Sequence, residues 1–276
     1  MRVVRSAAIA RSGLVVLAIA VTASLYAREQ PPILPSPVAQ QAVCSKTWIG
    51  HEAEMEEYLR TAAIERIENV PIGVTKPKRV YFREGGPMTS AAWKPLQAGL
   101  RGGFWESYQA EIAAYEVDKL LGLQMVPPAV ERRVEGELGA IIQWVDNTRG
   151  WKISEPVVGP DLNAWNRQVI AMKMFDNLIG NGDRNQGNLI YDSEYHLILI
   201  DHSRAFTDAK KLPVKLSRVW KDLYDRMNAL TLERLDPVLA KYLGKGAIRA
   251  IIARRDKMRG EVEQMAAQRG ASLFVN

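Results

Sequence analysis

The apolar residues of the chain follow two different spacings, which separate predicted helices from predicted strands. Long segments repeat their apolar residues about every 3.6 positions, the spacing of an amphipathic helix. Gly122 and Gly180 follow two of these segments and are predicted helix ends, whereas Asp161 precedes one and is a predicted N-cap. These patterns predict helices at residues 52–68, 104–121, 162–179, 232–243 and 247–265.

Shorter segments, rich in β-branched and aromatic residues, are bounded by turn residues and predict strands. Residues 78–94 contain two such segments, joined at Gly85 and Gly86. Further strands are predicted at residues 126–130, 139–145, 189–191 and 197–200. The first half of the chain is therefore predicted to mix strands and helices, and the second half to be mainly helical.

The first 27 residues have the pattern of an export signal. Residues 1–11 are basic, and residues 13–26 form an apolar stretch that is shorter than the roughly 20 residues of a transmembrane helix. Residues 1–27 are thus predicted to be a cleaved signal peptide or an uncleaved anchor. Residues 28–50, rich in proline and glutamine at their start, are predicted to be a linker. The expected location is periplasmic or secreted, or tethered to the membrane through residues 1–27.

Composition narrows the classes of function. The 276 residues are 47% hydrophobic and 25% charged, which is typical of a globular protein. A single cysteine, Cys44, excludes an intramolecular disulfide framework and a cysteine-rich zinc site. The net charge of +6 includes three leader arginines, so the mature chain carries about +3. That charge gives no support for a nucleic-acid partner, and none is expected.

Polar residues that suit a metal–phosphate site cluster in the second half. Asp183 and Asn188 lie in the loop Gly-Asp-Arg-Asn-Gln-Gly-Asn at 182–188, and Asp201 follows Asn188 by thirteen positions, at the end of an apolar strand. Magnesium prefers oxygen ligands and often uses few carboxylates together with substrate phosphates. Asn188 and Asp201 are therefore candidate metal ligands, and Asp183 is a candidate base for an incoming hydroxyl.

The first half offers a candidate phosphate-binding pair. Lys94 ends a predicted strand, and Glu111 lies on the next predicted helix, where a carboxylate could orient the flexible lysine. Glu116 is a rival for the role of Glu111. Backbone amides at Gly85 and Gly86 are candidates to approach the phosphates, as in an anion-binding nest.

Each of these residues also has a structural explanation. The loop that contains Asp183 and Asn188 could be a polar turn, since Asn, Gly and Asp favour turns. Lys94 could be a solvated strand residue. His202, beside Asp201, could support a metal ligand or be purely structural. The basic residues between 241 and 259 are expected to be a solvated helix surface, with anionic lipid or an acidic substrate as the alternative.

Several motifs, in order along residues 78–206, resemble those of the atypical kinases. The nearest resemblance is to the secretory-pathway kinases of the Golgi casein kinase and four-jointed type, and the phosphatidylinositol 3- and 4-kinases and persistence-toxin kinases share the catalytic logic. The motifs are Ala-Trp-Lys-Pro at 92–95, Gln-Ala-Glu-Ile-Ala-Ala-Tyr at 109–115, Leu-Leu-Gly at 120–122, Val-Pro-Pro at 126–128, Gly-Asp-Arg at 182–184 with Asn188, and Ile-Asp-His at 200–202.

The resemblance implies an α+β, two-lobed protein-kinase-like fold, with a small mixed N-lobe at residues 51–147 and a mainly helical C-lobe at residues 148–276. It implies ATP and Mg²⁺ or Mn²⁺ in the cleft. The backbone at residues 143–145 is the expected contact for adenine. The roles that the resemblance implies are phosphate binding by Lys94, its pairing with Glu111, proton acceptance by Asp183, and metal binding by Asn188 and Asp201.

Two positions depart from the pattern of these families. Asn185 stands where a histidine is usual after Asp-Arg, and His202-Ser203 follow the metal-binding aspartate in place of Phe-Gly or Asn-Gly. The expected function is transfer of a γ-phosphoryl group to a hydroxyl acceptor: protein serine or threonine first, then a glycan or a lipid. The alternative is a nucleotide-binding pseudokinase or a scaffolding module of the cell envelope.

Overall fold

The computed structural model describes residues 45–71, 77–157 and 159–276. Its helices and strands alternate in the first part, and helices dominate the last part. In chain order they are α1 (Glu52–Thr61), β1 (Ile64–Asn69), β2 (Lys78–Phe82), β3 (Ser90–Lys94), β4 (Gly99–Arg101), β5 (Phe104–Glu106), α2 (Tyr108–Leu121), β6 (Ala129–Val134), β7 (Glu137–Gln143), β8 (Arg149–Gly150), α3 (Leu162–Ile179), β9 (Leu189–Tyr191), β10 (Leu197–Leu199), β11 (Val219–Trp220), α4 (Lys221–Asn228), α5 (Leu232–Leu239), α6 (Lys245–Arg269) and β12 (Phe274–Val275).

The main sheet has five antiparallel strands in the order β1-β2-β3-β7-β6. Successive side chains of a strand point to opposite faces. On one face, Trp93 and Ile141 pack in a core with Leu59 of α1. On the other face, Ala92 and Ile142, which are paired in register, line a cavity. The sheet therefore buries one face and offers the other to a ligand.

The helical part is built around α3, which packs against α6. Phe175 and Leu178 of α3 are fully buried, together with Ile251 and Met258 of the facing helix. The small antiparallel sheet β10-β9-β8 lies in the same core through Leu189 and Leu199. This core supports the loops on either side of β9 and β10, which carry the candidate chemistry.

The helix ends follow the local signals in the sequence. Asp161 caps α3 by accepting the backbone N–H groups of Asn163 and Ala164 at 2.9 and 3.0 Å. Gly122 and Gly180 end their helices with φ angles of 57° and 71°, a left-handed conformation that glycine adopts without steric cost. These three predictions are confirmed.

Several predicted elements are wrong in extent. The helix predicted at 52–68 ends at Thr61, and β1 follows because Ile64 and Ile67 pack on the core of the main sheet. The helix predicted from 104 begins at Tyr108, because residues 104–106 pair with β4 as a hairpin and Ser107 caps the helix. The helix α4 lies in the half of the chain that is predicted to be mainly helical, but the sequence pattern gives it no bounds of its own.

The confirmed fold class is α+β, with a small antiparallel sheet and a mainly helical part. The described residues belong to one compact unit. The predicted leader at 1–27 and most of the predicted linker at 28–50 lie outside the described residues. Within the described ranges, no helix combines the length and the apolar character that crossing a bilayer requires.

Candidate active site

Lys94 is the centre of a buried ionic cluster. It is the last residue of β3, and its side chain is 9% exposed. Its Nζ donates to Oε1 of Glu111 at 2.7 Å and to Oδ1 of Asp201 at 3.0 Å. The lysine is thus shared between a helix of the first half of the chain and the strand end that carries Asp201.

The electrostatics of this cluster keep both partners charged. Burial alone would lower the pKa of Lys94, but the carboxylates of Glu111 and Asp201 outweigh it and hold that pKa above its ordinary 10.5. Burial would likewise raise the pKa of Glu111, but Lys94 and His202 hold it well below its ordinary 4.5. Lys94 and Glu111 therefore form an ion pair at neutral pH.

Glu111 is fixed by the position of α2 and by a second donor. Its other oxygen, Oε2, accepts the backbone N–H of His202 at 2.9 Å. Ser107 caps the same helix by accepting the N–H of Gln109, which sets where the first turn begins. His202 is 1% exposed, and burial lowers the pKa of its ring, which favours the neutral form. In this position His202 supports Glu111.

The loop after Gly180 presents the next group. The backbone N–H of Asp183 donates to Oδ1 of Asn181 at 3.2 Å, and its C=O accepts from Nδ2 of Asn188 at 3.0 Å. Asn188 is 6% exposed, and using its amide nitrogen in this bond leaves its Oδ1 as an acceptor. Two asparagines therefore hold the backbone of Asp183, whose side chain is 34% exposed.

Arg184 joins this loop to the strand end that precedes Asp201. Its guanidinium forms a two-point pair with the buried carboxylate of Asp176, at 3.1 and 2.8 Å. Its Nη1 donates to the backbone carbonyls of Asn188 at 3.2 Å and of Ile200 at 2.8 Å. A single buried side chain thus sets the separation of the two segments that carry the candidate metal ligands.

Asp201 has an unusual backbone conformation. Its φ is 59°, in the left-handed region that aspartate and asparagine tolerate better than most residues. Its Oδ1 accepts from Lys94 and also from Oγ of Ser203 at 3.1 Å. Among the described residues, no donor contacts Oδ2, so that oxygen is available to a ligand.

These groups share one cavity of about 540 Å³. Part of its lining is apolar: Val70, Pro77, Ala92, Val126, Ala129, Ile142 and Leu199. The polar part includes Lys94, Glu106, Glu111, Asp183, Asn188, Asp201 and Arg204. A cavity with this division suits a ligand that has one apolar portion and one polar portion.

The structure brings together five of the seven predicted site residues: Lys94, Glu111, Asp183, Asn188 and Asp201 all line the cavity. Residues 143–145, the predicted contact for adenine, line the cavity as well. The rival Glu116 pairs instead with Lys119 at 3.1 Å. In the structure, Glu111 and not Glu116 is therefore the helix carboxylate that contacts Lys94.

The glycine pair lies elsewhere. Neither Gly85 nor Gly86, both within the described part of the chain, is among the residues that line the cavity. A Cβ added at Gly86 would overlap the ring of Tyr58, so close packing on α1 explains this glycine. Val70 and Pro77 line the cavity instead, which places the ends of the β1–β2 connection beside it.

Sequence reasoning missed Glu106 and Arg204. Arg204 lies three positions after Asp201, a spacing that could have drawn attention to it. Glu106 was hidden by the wrong start of the predicted helix, which placed it on a helix when it ends strand β5. The two side chains form an ion pair at 2.7 Å on the wall of the cavity.

The free oxygen atoms of the site suit a hard divalent cation as ligands. Asp201 Oδ2 and Asn188 Oδ1 are oxygen atoms with no competing donor among the described residues, and Mg²⁺ and Mn²⁺ prefer such ligands. Lys94 supplies a cation for phosphate oxygens beside them. The donor set therefore suits a metal–phosphate group.

Comparisons with known proteins show similarity only at the level of structure. No family model matches the chain, and no curated protein sequence matches it. A crystal structure of the Golgi casein kinase with Mn/ADP bound superposes with a TM-score of 0.64 at 14% identity, over 82% of this chain and 79% of that chain. A hydra Fam20 structure with sugar gives 0.63 at 17% identity, over 82% and 92%.

A more distant structure has the same fold. The Helicobacter pylori proinflammatory kinase CtkA superposes with a TM-score of 0.50 at 11% identity, over 79% of this chain and 99% of that chain. Identities this low establish the fold and not the activity. The resemblance seen in the sequence motifs is thus confirmed in three dimensions: the chain has the two-lobed fold of the atypical kinases.

Proposed function

We propose that the protein is an ATP-dependent phosphotransferase that passes a γ-phosphoryl group to a hydroxyl acceptor. One observation carries the proposal: Lys94 is held between Glu111 and Asp201 in a cavity that Asp183 and Asn188 also line. These residues come from distant parts of the chain, so a polar turn or a solvated strand lysine does not account for their convergence. The kinase-like fold and its relative with Mn/ADP bound support the same function.

In this function the apolar lining contacts the adenine ring of ATP, and the polar lining contacts its phosphates. The backbone of residues 143–145, where the chain leaves β7, contacts the adenine edge. Lys94 binds phosphate oxygens, and Glu111 keeps its ammonium group directed at them. Asn188 and Asp201 would hold Mg²⁺ or Mn²⁺, which would neutralise the charge on the transferred group.

Asp183 acts as the base. The acceptor hydroxyl oxygen forms a bond to the γ-phosphorus, the bond from that phosphorus to the bridging oxygen breaks, and ADP leaves. The hydroxyl proton passes to a carboxylate oxygen of Asp183, whose side chain is exposed enough to meet an acceptor. The first-ranked acceptor is a protein serine or threonine, followed by a glycan or a lipid hydroxyl.

The test compares purified wild type with Asp183→Asn and a matched surface variant, Asp222→Asn, whose side chain is exposed on α4. Wild type and the surface variant should transfer labelled phosphate from ATP to a protein or glycan extract. Asp183→Asn should lose that transfer by at least about 100-fold, the usual contribution of a general base, while keeping its Mn²⁺–nucleotide thermal shift. Wild type that shows the shift but no turnover would identify a pseudokinase, and absence of both would refute nucleotide use.

We also propose that residues 1–27 export the chain or anchor it, because a basic segment precedes a short apolar one. Fusing a reporter enzyme that is active only outside the cytoplasm to the full chain tests this. Activity should be present with the leader and absent when residues 1–27 are deleted. Equal activity in both fusions would refute the leader.

A further inference from the structure

A residue that does not contact the backbone of Asp183, Arg204, holds its side chain. Nη1 of Arg204 donates to Oδ2 of Asp183 at 2.9 Å. The other oxygen, Oδ1, accepts a longer bond of 3.3 Å from the exposed Asn185. Arg204 is therefore the nearest donor to the carboxylate that the proposed function uses as its base.

Arg204 is itself fixed by two groups from one strand. Its Nε donates to Oε1 of Glu106 at 2.7 Å, and its Cζ lies 4.3 Å from the centre of the Phe104 ring. Glu106 is 2% exposed, so its charge is paired in a poorly solvated place, where loss of a partner is costly. Different nitrogens of the guanidinium thus contact Glu106 and Asp183, which a single ammonium group could not reproduce.

The strand that holds Arg204 also sets the start of helix α2. Glu106 ends β5, and the next residue, Ser107, caps the helix that carries Glu111. The backbone N–H of Ser107 donates to the carbonyl of Ser203 at 2.9 Å, directly beside Arg204. The position of α2 is therefore linked to Asp183 through a short series of direct contacts.

We infer that Arg204 is a positioning residue that orients the carboxylate of Asp183, and that Glu106 and Phe104 hold Arg204 in place. The inference rests on the proposed function. In it, Asp183 keeps one geometry toward the acceptor hydroxyl as long as β5 and α2 are docked. The contribution of Arg204 is then to the rate of transfer and not to nucleotide binding, which Lys94 and Asp201 perform.

The experiment measures kcat, the KM for ATP and the Mn²⁺–ADP thermal shift of the full chain. The variants are Arg204→Gln, Arg204→Lys and Glu106→Gln. Arg66→Gln is the control, since it removes a guanidinium from an exposed ion pair with Glu68 on β1. We expect Arg204→Gln to lower kcat by about 10- to 100-fold, as misplacement of a reacting group does, with KM and thermal shift unchanged. Arg204→Lys should fall between wild type and Arg204→Gln.

A double variant tests whether Glu106 acts through Arg204. Glu106→Gln should lower kcat by less than Arg204→Gln, and combining them should give no more than the loss of Arg204→Gln alone. Multiplied losses would show that Glu106 acts independently and would overturn that part of the inference.

The remaining outcomes distinguish a failure of this inference from a failure of the proposed function on which it rests. Unchanged kcat in Arg204→Gln, with an active wild type, overturns the role of Arg204 alone. A raised KM and a lost thermal shift in a folded Arg204→Lys variant would make Arg204 a nucleotide contact, which also overturns it. A wild type that binds nucleotide without turnover refutes the proposed function, and this inference fails with it.

Discussion

Nζ of Lys94 donates to Oε1 of Glu111 at 2.7 Å, although the two residues lie 17 positions apart in the chain. Both side chains are almost fully buried. Removing one charge of such a buried pair leaves the other without its nearest counter-charge, and breaking a buried pair typically costs about 3–5 kcal/mol. The pair is thus a structural element of the fold as well as part of the cavity.

The first prediction concerns this pair. Glu111→Gln should lower the free energy of unfolding by about 3 kcal/mol and reduce the nucleotide-dependent thermal shift, because Lys94 loses its main carboxylate. Glu116→Gln, on the same helix, removes only the partly exposed pair with Lys119 and should cost under about 1 kcal/mol. Urea unfolding of the two variants measures both losses in the free energy of unfolding. Equal losses would contradict the distinction between the two glutamates.

The second prediction concerns the metal. Asp201→Asn retains a residue type that tolerates the φ of 59° but removes the negative charge of a proposed ligand. We expect the folded variant to lose the additional thermal shift that Mn²⁺ gives over nucleotide alone. Titrating Mn²⁺ at fixed ADP, with Asp222→Asn as control, measures the effect. A Mn²⁺ response equal to that of wild type would exclude Asp201 as a ligand.

The third prediction concerns the turn between β2 and β3. Gly86→Ala should cost about 1–2 kcal/mol of stability, because its Cβ would overlap Tyr58 and the neighbouring packing must shift. The Mn²⁺–ADP thermal shift, measured as the difference with and without ligand, should equal that of wild type. A stable variant that no longer responds to nucleotide would place this turn at the phosphates after all.

The fourth prediction concerns Asp118, a buried carboxyl on α2. It accepts the backbone N–H groups of Met125 and Val126 at 2.8 and 3.1 Å. Burial raises its pKa from the ordinary 3.8 to about 6, against the lowering effect of these amides. Between these two values the folded state binds more protons than the unfolded state, so stability falls as the pH rises through about 6.

The free energies of unfolding of wild type and Asp118→Asn should therefore diverge with pH. Relative to the variant, wild type should lose up to about 3 kcal/mol between about pH 4 and pH 7, since each pKa unit is worth about 1.4 kcal/mol. Urea unfolding at several pH values gives the difference. A constant difference across the range would show that the carboxyl of Asp118 titrates alike in both states.

Local signals in the sequence were sufficient where one residue decides the structure. Asp161 as a cap and Gly122 and Gly180 as helix ends depend on the chain within a few residues, and all three were predicted. Strand β1 was not predicted, because its charged residues suit a helix. Only its pairing with β2 and the packing of Ile64 and Ile67 favour the strand.

The candidate site likewise contains some residues that the sequence identifies and others that it does not. The order of Lys94, Glu111, Asp183, Asn188 and Asp201 along the chain was enough to group them. Glu106 and Arg204 could not be paired in advance, because 98 positions separate them and the pattern at residues 104–106 predicts a helix where the chain forms strand β5. Contacts between distant segments are set by tertiary packing, which a local pattern does not encode.

The contacts of Arg184 with the carbonyls of Asn188 and Ile200 have a consequence for detecting loss of function. That side chain ties the two loops together through main-chain atoms, whatever side chains they display. A variant without the side-chain charges of Asp183 and Asp201 would keep these main-chain contacts, which involve neither carboxylate. A mutational screen that measures abundance or solubility would therefore report inactive Asp183 variants as normal, and an assay of turnover would be needed to detect their loss of function.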